Sequence, residues 1–396
     1  MNILLITDTF PPLKGSGAVQ FRDLANEIVC QGHLLTVIVP RNDIPQSFLS
    51  TQVNGVNVYQ LKSLPLKDVR LIKRTLNELL LPLLMYRGMV RSGLSHIKWD
   101  AIVWHSPSIF FGPLVSLLKK KHKCSSYLII RDIFPDWAVD LGLIKRGGAI
   151  HYFFSLIARY QYSVADTIGV QSSGNKIYFK SWVERYERKL EVLPNWLGRP
   201  GVAHCSIRVQ DTALAGRKIL VYAGNMGVAQ GMDIILNLAE RLRDRGDIGF
   251  LMVGRGSDAP RLKLSAQDRQ LDNVLFYDEI EPEEIPSLYA QCHVGIIALD
   301  PRHQSHNIPG KFLTYMQSGL PVLANVNKGN DLAEMIRVER VGEVCETNEV
   351  DDLLRLAEKL VNDMQTNDDI SRRCKLLFES HFAVENTVKQ IVASFS

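Results

Sequence analysis

The chain has 396 residues, of which 46% are hydrophobic and 22% charged, with a formal net charge of +4. That length exceeds one ordinary domain and suits two or three, each with a sizeable core. No apolar run reaches the roughly 20 residues that span a bilayer. The six cysteines show neither a C-x-x-C pair nor His partners at metal spacing, so free thiols in a reducing cytosol are expected.

Ile3–Thr7 is a short apolar run with no basic stretch before it and no small-residue cleavage site after it. It reads as a buried strand, not a signal peptide. A turn-rich loop, Pro11 to Gly17, leads to Val19, Phe21, Leu24, Ala25, Ile28 and Val29, which recur at helical spacing and stop at Gln31-Gly32. Leu34–Val39 reads as a second strand, completing a βαβ unit with a right-handed crossover. Leu64–Val90, with its flank, mixes Lys67, Arg70, Lys73, Arg74, Arg87 and Arg91 with a dense set of leucines. It predicts one or two helices broken near Pro82, either lying in a membrane interface or forming a core helix with basic ends. Further strands are predicted at 101–104, 127–130, 166–170 and 190–193, with a helix at 113–119. A polar linker follows at 198–216. A second βα series begins at Lys218–Tyr222, with strands near 249–253, 274–276, 294–298, 321–324 and 342–344, and 384–395 has helical spacing. The expectation is an α/β protein of two doubly wound Rossmann-like domains, 1–198 and 217–380, with a last helix at 381–396.

Charge is uneven. Residues 1–200 hold 25 Lys and Arg against 14 Asp and Glu, while the rest holds 21 against 28. A basic half suits an anionic membrane surface or phosphorylated lipid; domains also differ in charge without consequence.

Three segments carry candidate chemistry. Gly15-Ser16-Gly17 opens the first helix, where glycine lets backbone approach a ligand and the helix start favours an anion, although tight βα turns carry glycine for geometry alone. Gly224-Asn225-Met226-Gly227, with Gln230-Gly231 entering a helix, and Gly254-Arg255-Gly256 one unit later mark a ligand crevice at neighbouring strand ends. His306 to Ala324 is a turn, a helix stopping at Gly319 and a strand. Lys311 near that helix start is either a solvated lysine or the holder of a diphosphate.

In this order, Phe10-Pro11-Pro12, Gly32-His33-Leu34, Val192-Leu193-Pro194-Asn195, Tyr222-Ala223-Gly224, Val253-Gly254-Arg255-Gly256 and Pro309-Gly310-Lys311 through Tyr315-Met316 and Ser318-Gly319-Leu320-Pro321-Val322 resemble glycosyltransferase family 4 over nearly the whole chain. The resemblance implies a GT-B fold, its two domains facing a cleft and the last helix crossing back to the first domain. It implies retaining transfer from a nucleotide-diphosphate sugar, without metal or other cofactor; no Asp-x-Asp cluster appears. Gly15, Ser16, Gly17, Gly224, Asn225, Gly227, Gln230, Gly254, Arg255, Gly310 and Thr314 would bind the donor. Lys311, His306 and His105 would act in catalysis, and Arg131 and Asp132 would stand on the acceptor side or form an internal ion pair. Two family glutamates are replaced here by His306 and Thr314, and a basic pair in the phosphate loop by Asn225 and Gln230. Arg131 to Asp136 resembles the O-antigen and capsule branch. That implies a UDP-linked amino-deoxyhexose such as N-acetyl-L-fucosamine, a polyprenyl-diphosphate-linked sugar acceptor and a peripheral place on the inner face of a bacterial membrane, with no nucleic acid involved. A sugar-nucleotide epimerase and a non-catalytic partner of an active transferase are the rival readings.

Overall fold

The computed structural model describes all residues except 14–15, 67–68, 107, 141, 180–188, 202, 301–307, 367–368 and 396. The chain forms two compact units, Met1–Gly198 with Val384–Ser396, and Arg199–Ala383.

In the first unit the described strands are β1 (Asn2–Ile6), β2 (Leu34–Arg41), β3 (Phe48–Val53), β4 (Val56–Lys62), β5 (Ala101–His105), β6 (Ser125–Ile130), β7 (Thr167–Val170) and β8 (Leu190–Val192). Their order is β3-β4-β2-β1-β5-β6-β7-β8. Every neighbouring pair is parallel except the β3–β4 edge hairpin. The continuous apolar runs of β1, β2, β5, β6 and β7 follow from burial on both faces. Ile3, Leu5 and Val103 pack with Phe21, Leu24 and Val388, from the helices Ser16–Cys30 and Val384–Ala393. Leu4, Ile6 and Trp104 face the other way, toward Leu81, Leu114 and Phe154 of the helices Leu71–Arg91, Gly112–His122 and Ala149–Val164.

Three features depart from the sequence reading. The helix Leu71–Arg91 runs through Pro82 without a break, because Leu81, Met85 and Met89 are buried on both sides of it and hold the halves in line. The β3–β4 hairpin and the helix Ala149–Val164 were not anticipated: β3 is largely exposed, and the helix turns many aromatic and aliphatic residues outward, blurring the period.

The second unit has β9 (Lys218–Ala223), β10 (Ile248–Val253), β11 (Val274–Tyr277), β12 (Val294–Ala298), β13 (Val322–Asn325) and β14 (Gly342–Cys345), all parallel, in the order β11-β10-β9-β12-β13-β14. Leu220, Tyr222 and Phe250 bury against Ile235 and Leu353 from the helices Asp233–Arg241 and Val350–Thr366. The expected pair of doubly wound α/β halves is what the chain forms. Each sheet reverses its winding once, between β1 and β5 and between β9 and β12. Chain leaving the two strands at such a point departs to opposite faces and opens a crevice at their C-terminal ends. No helix among the described residues is long and apolar enough to cross a membrane.

Candidate functional site

In the second unit, β9 feeds the loop from Gly224 to Gly231, and β12 leads toward the helix Gly310–Gln317. The Tyr315 hydroxyl lies 3.1 Å from the carbonyls of both Val221 and Ile296, pinning that helix to the two strands that part. The first turn thereby carries Lys311 over the end of β9. Its ammonium sits 3.7 Å from the Tyr222 ring centroid, and a Cβ on Gly224 would lie 3.8 Å from it. No carboxylate pairs with Lys311 among the described residues, and burial pushes its pKa down to about 7. A ring face compensates only part of an ammonium's lost hydration, so an arriving anion would restore the full charge.

The glycine loops beside it interlock. Gly224 N–H donates to the Val253 carbonyl at 2.9 Å, Met226 N–H to the Arg255 carbonyl at 2.7 Å and Asp258 N–H to the Met226 carbonyl at 3.0 Å. Gly254 has φ +143°, and a Cβ there would stand 2.0 Å from the Gly224 carbonyl oxygen, so only glycine fits. Gly227 N–H donates to Gln230 Oε1 at 2.9 Å, which also accepts from Asn225 Nδ2 at 3.2 Å. The amides of Gly224, Met226 and Gly227 are thus already engaged within the protein, and Gln230 braces the loop. At the start of the Gly310–Gln317 helix the Phe312 N–H already donates to the Pro309 carbonyl at 2.9 Å, and the Gly310 and Lys311 N–H groups precede the first intrahelical bond. Together with Lys311 they make this helix start the stronger anion-binding feature.

In the first unit, Thr7, Asp8 and Thr9 leave β1 beside His105 and Ser106 at the end of β5. His105 is buried, with Nε2 2.8 Å from Thr7 Oγ1 and 3.2 Å from Asp8 Oδ1, and Nδ1 2.8 Å from the Ser106 carbonyl. A carbonyl only accepts, so Nδ1 carries a proton. Thr7 Oγ1 donates to the Thr9 carbonyl at 2.8 Å, and Nε2 lies between that oxygen and Asp8 Oδ1. Phe21 lies 4.2 Å from the His105 ring, and the Arg131 guanidinium 5.9 Å from the Phe21 ring. Burial lowers the Arg131 pKa against the opposing pull of the Asp132 and Asp8 carboxylates. Gln171 donates to the Arg131 carbonyl and Ser106 Oγ to that of Asp132, both at 2.8 Å. Glu78, from the helix Leu71–Arg91, is the further acid here. Burial raises its pKa against its 3.0 Å bond to Arg74, and the Asp8 charge adds to the rise.

The predicted residues therefore fall into two groups. Lys311, Gly224, Gly254 and Gly310 gather at the β9–β12 crevice, and Thr314 joins them with its hydroxyl donating to the Lys311 carbonyl at 2.9 Å. Asn225, Gly227 and Gln230 form the braced loop, and Arg255 turns outward to pair with Glu279 at 2.9 Å. His105, Arg131, Asp132 and Gly17 gather at the β1–β5 crevice, where a Cβ on Gly17 would stand 2.8 Å from Arg131 Nη1. Gly15, His306 and the Ser16 side chain lie outside the described residues. Thr7, Asp8 and Glu78 escaped the sequence reading. The pointer to the first two is strand order, which periodicity does not contain. Among the described residues no group of three His, Cys, Asp or Glu could hold a metal ion.

Residues 217–363, within the second unit, match the family model described as Glycosyl transferases group 1. Over 272 residues the chain is 26% identical to WcaI of Escherichia coli (strain K12), a protein named for glycosyl transfer in colanic acid biosynthesis. The alignment covers 63% of this chain and 61% of that relative, less than two thirds of its length. Sucrose-phosphate synthase (tll1590) from Thermosynechococcus elongatus matches with a TM-score of 0.72 at 15% identity, covering 99% of this chain and 97% of that one. Anabaena Alr3699/HepE, solved in complex with UDP-glucose, matches with a TM-score of 0.66 at 14% identity, covering 99% and 98%. The fold is GT-B.

Proposed function

We propose that the protein is a retaining, metal-independent glycosyltransferase that moves a sugar from a UDP-linked donor to a polyprenyl-diphosphate-linked saccharide. The observation that carries the reading is Lys311, held at the β9–β12 crevice over Tyr222 with no carboxylate partner among the described residues. A cation placed there by the fold and left uncompensated suits a departing diphosphate. The family match over 217–363 and the UDP-glucose complex of a structural relative support a nucleotide-sugar donor. The anomeric carbon–oxygen bond to the diphosphate breaks, Lys311 and the helix start take up the developing charge, and the acceptor hydroxyl attacks on the same face. The Asp8–His105 pair, set at the other crevice, would receive or orient the acceptor's proton. An amino-deoxyhexose such as N-acetyl-L-fucosamine rests on the Arg131–Asp136 resemblance, and an anionic membrane surface on the basic, apolar helix Leu71–Arg91.

The test is incubation with UDP-sugars, a polyprenyl-diphosphate disaccharide and EDTA. Release of UDP with a product that keeps the donor's anomeric configuration is expected. A strict divalent-metal requirement refutes the metal-free part. Donor turnover without acceptor would indicate an epimerase, and UDP binding with no turnover of any donor a non-catalytic partner.

A further inference from the structure

The helices Leu71–Arg91 and Ala149–Val164 turn apolar side chains to solvent. Ile72 is 78% exposed, Leu76 57% and Leu83 48%, and Ile150 and Tyr152 on the other helix stand out at 56% and 69%. Between them runs a trough of about 520 Å³ whose lining is mostly apolar, with Leu79, Pro82, Phe110 and Leu156, and also includes Arg159 and Ser163. Its volume lies within the roughly 300–1,000 Å³ of ordinary ligand sites. The same two helices continue the apolar surface beyond the trough with further exposed leucine, isoleucine and tyrosine. Basic side chains, Lys73, Arg87 and Arg91, stand exposed along the same helix, matching an anionic headgroup layer.

The trough also adjoins the acceptor-side residues. Leu79 lines it, while Glu78, the preceding residue, points inward and feels the Asp8 carboxylate. Successive helical residues diverge by roughly 100°, so one helix borders both the trough and the β1–β5 crevice. A ligand with a polar head and one long hydrocarbon chain meets both.

We propose that the trough takes the polyprenyl chain of the lipid-linked acceptor, guiding its diphosphate and sugar to the Asp8–His105 cluster. The inference rests on the acceptor proposed above. Each pair of methylenes taken from water is worth roughly tenfold in affinity, so the chain would supply much of the acceptor's binding.

The test uses farnesyl phosphate bearing a benzophenone on its distal end, photo-crosslinked to the full chain in detergent and mapped by mass spectrometry. Adducts are expected on peptides holding Leu79–Pro82 and Leu156–Tyr160, competed by undecaprenyl phosphate and not by isopentenyl phosphate. Leu156→Trp and Leu79→Trp, at exposed rim positions, should cut labelling about tenfold while leaving the melting temperature and UDP binding unchanged. Ile72→Ser should weaken sedimentation with phosphatidylglycerol vesicles and leave labelling in detergent intact. Adducts scattered over the exposed face and insensitive to Leu156→Trp, or no adducts, overturn the proposal. Equal transfer to water-soluble and polyprenyl-linked saccharides would sink the acceptor reading itself. Unchanged long-chain transfer by Leu156→Trp would sink the trough alone.

Discussion

Lys311 is a lysine whose environment disfavours its own charge. Burial holds its pKa at about 7, whereas in the unfolded chain it stays protonated to roughly pH 10.4. The unfolded state therefore binds more protons across that window, and stability contributed by this site rises as pH climbs from 7 toward 10.4. Below pH 7 the buried ammonium carries its full cost. Lys311→Met should raise the melting temperature most at pH 6, with the gain shrinking to nothing near pH 10.5; a pH-independent gain would contradict the assignment. Donor binding runs the opposite way. UDP should take up a proton on binding between pH 7 and 9, and its affinity should fall as pH rises in the wild type but stay flat in Lys311→Met. Gly254→Ala places a methyl against the Gly224 carbonyl and should cost at least about 2 kcal/mol, read as a lowered denaturation midpoint with weakened UDP binding. Asp8→Asn should lower turnover about a hundredfold at unchanged UDP affinity; wild-type turnover would remove Asp8 from the acceptor side.

At the scale of the element, the helix Leu71–Arg91 shows what a one-dimensional pattern holds and what it omits. Its basic and apolar character was legible, and so was the choice between membrane face and core. The structure buries Leu81, Met85 and Met89 in the core and leaves Ile72, Leu76 and Leu83 exposed. Period alone did not separate them, because nearly every position is leucine or its like. Vesicle binding by Leu76→Ser should fall and that of the wild type should weaken with salt, as screening removes the Lys and Arg contribution; salt-independent partitioning would leave burial of the apolar face alone. The parallel strands other than β4 were read nearly to the residue, since burial makes most of them continuous apolar runs. The hairpin β3–β4 and the helix Ala149–Val164 were missed for the converse reason: a half-exposed edge strand and an outward-facing apolar helix each obscure the period. The glycine loops were located correctly, but that Gly224, Met226 and Gly227 spend their amides on neighbouring chain is a matter of register between β9 and β10, which spacing does not carry.

The whole molecule is two sheets, each with one winding reversal, and both candidate clusters lie at those reversals. Thr7 and His105, 98 residues apart in sequence, meet where the chain leaves β1 and at the end of β5, with Asp8 beside them; Tyr222 lies on β9, and Lys311 on the helix that follows β12. Such pairings follow from strand order and need no special motif. The central claim is that the β9–β12 crevice binds the diphosphate of a nucleotide sugar through Lys311. Calorimetric titration with UDP, GDP and TDP in EDTA tests it most directly. Saturable UDP binding, lost in Lys311→Ala, is the predicted result; no binding of any nucleotide, or UDP binding indifferent to Lys311→Ala, would contradict it.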